Sequence, residues 1–189
     1  MMIGRKKELA FLRNGISPNG TLRCACLTGV KGIGKTTLIK SVREENKENL
    51  DKFLWIQPNL ETLDDILHLI SEMTRGVSHN LLATNGSLKS FARSIGQEVE
   101  QFKSKNRIKS FDTSELEELG TFFIEKLSKS LLENDVNPGG LTPVLVFDGI
   151  DKTDDNILSW LSGAFNQALR KSAFFSNTRF IFTSNQLMF

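Results

Sequence analysis

Apolar residues along this chain fall into two alternating rhythms, short unbroken runs and stripes spaced three or four apart. The runs are Leu22-Arg23-Cys24-Ala25-Cys26-Leu27, Phe53-Leu54-Trp55-Ile56, Val144-Leu145-Val146-Phe147 and Arg179-Phe180-Ile181-Phe182-Thr183. Each has the length of a strand, and the near-continuous apolar character is that of strands covered on both faces of a parallel sheet. The stripes predict helices: Leu9, Leu12 and Ile16 in the first; Leu38, Ile39 and Val42 in the second; Leu63, Ile66, Leu67, Ile70 and Met73 in the third. Strand and helix in alternation predict an α/β fold, a three-layer sandwich around a mainly parallel sheet.

Breakers divide the pattern. Gly15, Pro18 and Gly20 end the first helix, Pro58 stops the second strand, and Thr62 with Asp65 resembles a capping box at the start of a helix that Gly76 would close. A polar loop follows over 77–86, then two amphipathic helices. One carries Leu88, Phe91, Ile95, Val99 and Phe102, and the other Leu116, Leu119, Phe123, Leu127 and Leu131. Packed as a hairpin, they make residues 77–141 a helical insertion between the second and third strands. After a loop containing Pro138-Gly139-Gly140 and the third strand, Ile157, Leu158, Leu161, Phe165, Ala168 and Leu169 form one more amphipathic helix.

Composition changes this picture little. The chain has 189 residues, which supports one domain with a real core over 1–189, and its net charge of +2 neither demands nor excludes nucleic acid. Cys24 and Cys26 lie on the same side of the first strand, where a disulfide fits poorly, and are expected as reduced core residues. His68 falls on the polar side of its helix and reads as a solvated surface residue. No apolar stretch has the length of a signal peptide or a membrane helix, so a cytoplasmic protein with no membrane partner is expected. Lys103, Lys105, Arg107 and Lys109 occur without an intervening acid, with Phe102 and Phe111 at either end. Such a cluster is either a solvated face or a contact for nucleic acid or protein.

The chemistry is concentrated in Gly29-Val30-Lys31-Gly32-Ile33-Gly34-Lys35-Thr36-Thr37, a glycine, four residues, then Gly-Lys-Thr. Backbone N–H groups must wrap the phosphates of a nucleotide closely, and glycine permits both the curvature and the approach. In this pattern Lys35 reaches the β and γ phosphates, Thr36 offers its hydroxyl to magnesium, and the helix beginning here points unsatisfied N–H groups at the anion. The flanks agree: a strand runs into the loop and an amphipathic helix leaves it. The third strand ends in Asp148-Gly149-Ile150-Asp151. That places one carboxylate, Asp148, at the sheet edge where the phosphate loop lies, suited to hold magnesium through water. Read alone, the same stretch is a core strand stopped by an Asp-Gly turn.

These residues resemble the STAND and AAA+ branches of the phosphate-loop ATPases. Ile3-Gly4-Arg5 with Glu8-Leu9 resembles the segment that lies against adenine in those families. Gly32 to Leu38 is very close to the STAND phosphate loop, and Phe53 to Ile56 is similar to their second strand. Asp148-Gly149-Ile150-Asp151 resembles the Asp-Gly-x-Asp of NACHT-type members. Thr183-Ser184-Asn185 stands where the family keeps its first γ-phosphate sensor. The resemblance implies ATP or ADP with Mg2+ as ligands, and Lys35, Asp148, Asp151 and Asn185 as the residues that act on them.

There are departures. Lys152 follows Asp151 where NACHT proteins carry an acid, and Gly149 follows Asp148 where many AAA+ enzymes carry a water-activating glutamate, which leaves Asp151 as the closest carboxylate to orient a water. The fifth strand, helical lid and winged helix of these families have no counterpart before Phe189, so a truncated form is expected. The resulting expectation is an ATP-binding regulatory switch, a slow magnesium-dependent ATPase acting within a larger assembly of domains or subunits. The alternative is a non-hydrolysing module that contacts DNA or protein through residues 102–111, and a small-molecule kinase would share the phosphate loop.

Overall fold

The computed structural model describes residues 5–45, 53–60, 66–80, 86–105, 112–133 and 141–185. Four strands, β1 (Cys24–Thr28), β2 (Phe53–Ile56), β3 (Thr142–Phe147) and β4 (Arg179–Ser184), form one sheet in the order β1-β4-β3-β2. Every pairing is parallel, with Cys24 beside Phe180, Val144 beside Arg179 and Phe53 beside Thr142. Parallel strands put all their carboxyl ends on one edge, so whatever follows Thr28, Ile56, Phe147 and Ser184 gathers there.

Side-chain alternation divides the core into two faces. Helices α1 (Lys6–Ile16) and α2 (Lys35–Glu45) cover one, where Leu12, Ile16, Leu38, Ile39 and Val42 meet Trp55, Val144, Val146 and Ile181. The other face, with Leu54, Ile56, Leu145 and Phe147, is covered by helices α3 (Ile66–Asn80), α5 (Thr113–Glu133), α6 (Asp155–Trp160) and α7 (Asn166–Lys171). Helix α4 (Gly86–Lys105) adds Val99 to that core. This is the expected three-layer sandwich, with its helical insertion between β2 and β3. Leu38 and Ile39 are no more than 1% exposed, and truncating such a residue to alanine costs about 2–5 kcal/mol. Helix α2 therefore holds the phosphate loop against the sheet by its buried stripe.

The structure corrects several local expectations. Strand β1 is not buried on both faces: Ala25 is buried but Cys24, Cys26 and Thr28 are exposed. Among the described residues β1 pairs only with β4, and its outer side opens on a groove of about 810 Å³ between the β1–β4 surface and α6–α7. Both cysteines are free thiols, as expected, but they face this groove instead of the core.

Helix α3 runs through Gly76 to Asn80 instead of ending at Gly76. The glycine serves packing, since a Cβ there would stand 3.0 Å from Ile56 Cγ2 on β2. Helices α4 and α5 touch each other in the insertion as expected, and α4 packs principally on α3, which α5 also touches. The stripe on α5 is buried at Phe123, Leu127 and Leu131 as read from the sequence. His68 is half-buried, not solvated. Between α6 and α7 the backbone makes one π-helical turn, Leu161–Phe165, that periodicity did not reveal. The Thr62–Asp65 capping box, residues 106–111 of the basic stretch, and the side chains of Leu88, Phe91, Ile95, Phe102, Lys103, Lys105 and Leu116 lie outside the described residues.

Candidate functional site

The loop from Gly29 to Gly34 turns the chain from β1 into α2. Gly32 and Gly34 have φ of 86° and 93°, a region that side chains bearing a Cβ rarely adopt, so the bend requires glycine at these positions. Lys35 opens α2 and is only 8% exposed. Its Nζ donates to Gly29 O at 2.7 Å, Val30 O at 3.2 Å and Asn185 Oδ1 at 3.1 Å, which uses all three ammonium protons.

The other groups arrive from the carboxyl ends of β3 and β4. Asp148 directly follows β3, and its Oδ1 accepts the Thr183 hydroxyl at 2.5 Å, while the same hydroxyl oxygen accepts the Gly149 N–H at 2.7 Å. Asp151 lies in the 3₁₀ turn Ile150–Lys152. Its Oδ1 accepts the backbone N–H of Asn185 and its Oδ2 accepts Asn185 Nδ2, both at 3.0 Å. Burial pushes the Asp151 carboxyl up, but the two donors of Asn185 and further hydrogen bonds, among them the Ser184 hydroxyl, outweigh it and hold the group below its ordinary value.

These elements enclose a cavity of about 680 Å³. Lys31, Gly32, Gly34, Lys35, Thr36 and Thr37 form one wall, and Asp148, Gly149, Thr183 and Asn185 another. Arg43, Gln57, Asn59 and Lys152 close the far side. Four cationic side chains face one lining carboxylate, so the cavity favours an anion with several charges. Gly29 and Val30 are not among the lining residues, and their carbonyls hold Lys35. The apolar side chains of Val30 and Ile33 are exposed, at 70% and 44%, and do not line the cavity. Asp151 stands behind Asn185. Arg5 precedes α1 and is not among the lining residues, while Ile3 and Gly4 lie outside the described residues.

Sequence reasoning missed the positioning role of Thr183 and the far wall altogether. A polar residue at an inward position of an apolar strand was the available signal for Thr183. For Arg43 it was the seven-residue spacing from Thr36, which repeats one side of a helix. Among the described residues no three His, Cys, Asp or Glu side chains cluster as metal ligands, and no helix is long and apolar enough to cross a membrane.

Comparison with known proteins agrees with the fold. The structure is similar to Cdc6p from Pyrobaculum aerophilum, with a TM-score of 0.54 and 16% identity over 96% of this chain and 39% of that one. It is also similar to the ORC2 protein of Aeropyrum pernix, solved as ADPNP and ADP complexes, with a TM-score of 0.56 and 12% identity over 98% of this chain and 42% of that one. The chain thus spans about two fifths of the length of these structures. No curated protein matches it. Residues 2–173 match the AAA ATPase domain, and by that match, together with the parallel sheet and the phosphate loop between β1 and α2, the chain belongs to the AAA ATPase domain family.

Proposed function

We propose that this chain binds ATP and ADP with Mg2+ in the cavity between the phosphate loop and the ends of β3 and β4, and acts as a slow ATPase switch within a larger assembly. One observation carries the reading: Lys35, Asp148 and Asn185, separated by up to 150 residues, line a single cation-rich cavity. Lys35 already holds three oxygen acceptors, and phosphate oxygens can replace them with stronger, charge-assisted bonds.

The residues present fit magnesium. Thr36 and Asp148 both line the cavity and offer hard oxygens, Asp148 is aimed by Thr183, and this ion commonly takes one or two protein ligands and completes its shell with water and phosphate. Bound there, magnesium would neutralise charge on the phosphates. Slow turnover follows from two features. Gly149 stands where a water-activating carboxylate would be, and both oxygens of Asp151 are engaged by Asn185. That second feature also favours the other reading, a module that binds nucleotide without hydrolysing it. The regulatory role of STAND and AAA+ proteins enters only through resemblance.

Titration calorimetry with magnesium-ATP on the wild type and Lys35→Ala tests the site, and phosphate release tests turnover. Measurable binding that Lys35→Ala lowers at least tenfold is expected, together with slow magnesium-dependent release that Asp148→Asn lowers further. Equal affinity in both proteins would refute the site, and binding without any release would establish the non-hydrolysing reading.

A further inference from the structure

We propose that Asp151 is a positioning residue that locks the side-chain amide of Asn185 with its carbonyl oxygen, not its NH2, toward the phosphate loop, so that Asn185 meets a bound nucleotide as an acceptor. The inference rests on the nucleotide-binding reading above and reassigns two residues within it.

Two independent contacts fix the amide. Asn185 Nδ2 stands 3.0 Å from Asp151 Oδ2, and an ionised carboxylate only accepts. Asn185 Oδ1 stands 3.1 Å from Lys35 Nζ, and an ammonium only donates. Turning the amide over would set its NH2 against the ammonium and its carbonyl against the carboxylate, losing both hydrogen bonds and replacing each with a repulsion. Oxygen and nitrogen of an amide are alike in shape, but here the chemistry on either side admits one orientation. The backbone N–H of Asn185 also donates to Asp151 Oδ1 at 3.0 Å, so the carboxylate grips main chain and side chain together. The same donors hold its proton affinity down, which keeps it an acceptor at neutral pH.

The consequence is functional. A carbonyl oxygen cannot donate to a γ-phosphate oxygen. In the absence of a phosphate it holds Lys35, and beside a triphosphate it accepts from Lys35 or from a water proton. Asp151, with both oxygens turned to Asn185, acts through Asn185 and not on a water of its own.

The test uses ADP and the β,γ-imido analogue of ATP, titrated calorimetrically against the whole chain. Asn185→Ala is expected to leave the ratio of analogue to ADP affinity within about twofold of wild type, because no donor to the γ phosphate is lost. Asp151→Asn frees the amide to turn its NH2 to the phosphate, so the analogue should gain several-fold over ADP, and the gain should vanish in the double variant with Asn185→Ala. A fall of about tenfold in analogue affinity alone for Asn185→Ala, the loss of one charge-assisted hydrogen bond, would overturn the proposal without any need for the Asp151 variant to fold. A second readout needs no nucleotide. The side-chain NH2 resonances of Asn185, identified by their loss in Asn185→Ala, should shift in Asp151→Asn, and an unchanged position would equally overturn it. If the wild type bound neither nucleotide, the proposed function would fall while the resonances still reported the Asp151–Asn185 contact.

Discussion

Thr183 donates its hydroxyl proton to Asp148 across 2.5 Å and accepts the Gly149 N–H at 2.7 Å, so one side chain of β4 aims the carboxylate that ends β3. Thr183 is only 1% exposed, and its two bonds have no water to replace them. Thr183→Val keeps the shape, removes the donor, and leaves a part-buried N–H without a partner. We expect a loss of about 1–3 kcal/mol in stability and a weaker dependence of nucleotide affinity on magnesium, both largely restored by Thr183→Ser. Denaturant unfolding and magnesium titration measure the two effects. Magnesium dependence identical to wild type would show that Asp148 is aimed by something else.

How much of this was legible beforehand depends on what sets each feature. The phosphate loop was legible because its geometry is local: Gly32, Gly34 and Lys35 act within a few residues of one another. The alternation of strands and helices was legible for the same reason, and it led to the observed sandwich. Contacts between distant residues were not. Nothing near Gly76 in sequence shows that Ile56 occupies the space of its missing side chain. Nothing near Cys24 shows that β1 stands at the edge of the described sheet, so apolar composition was mistaken for burial. Asp151 and Asn185 were both marked as candidates, but their separation of 34 residues hid the fact that each satisfies the other. The far wall of the cavity, Arg43 and Asn59 among its residues, comes from a helix flank and a strand end that carry no motif.

Two of the helical glycines, Gly163 and Gly76, should respond to alanine in opposite directions. A Cβ at Gly163 would meet nothing within 4 Å, so Gly163→Ala should stabilise by about 0.5–1 kcal/mol through reduced freedom of the unfolded chain. At Gly76 the same change gains as much from propensity but presses on Ile56 Cγ2 at 3.0 Å. Ile56 is fully buried on a strand closed on both faces and has no room to yield, so Gly76→Ala should destabilise on balance. Thermal midpoints decide the matter, and a rise for both variants would show that β2 moves more freely than its burial implies.

Acid should act on the Asp151–Asn185 contact. The folded pKa of Asp151 lies below the ordinary 3.8, so the unfolded chain takes up the proton more readily and the stabilisation is present above that value. It is lost as pH falls through the ordinary value toward the folded one. Between about pH 5 and about pH 2 the wild type should therefore lose more stability than Asp151→Asn, which has no such proton to bind. Urea midpoints for the two proteins across that range test the sign, and parallel curves would remove the linkage.

At the opposite edge of the sheet, Arg179 begins β4 with only 5% of its surface exposed. Its Nη2 donates to Gly20 O at 2.8 Å, but Nε and Nη1 are buried with no hydrogen-bond partner among the described residues. Burial, and then the nearby charge of Arg23, both lower its pKa. Arg23 is itself turned to Asn177, donating to Oδ1 at 3.0 Å, and makes no ion pair with a carboxylate among the described residues. A buried guanidinium with two idle donor nitrogens and a like charge nearby costs more than the single carbonyl contact returns. Arg179→Met keeps most of the volume and removes the charge, so it should raise the unfolding free energy by about 1 kcal/mol or more. Nucleotide affinity should not change, because the cavity lies at the far ends of the strands. Arg179→Lys, which keeps a buried charge, should give no such gain. Denaturant unfolding of the three proteins decides it: a Met variant less stable than wild type would mean that Nε and Nη1 are satisfied in solution, by water or by a partner beyond the described residues.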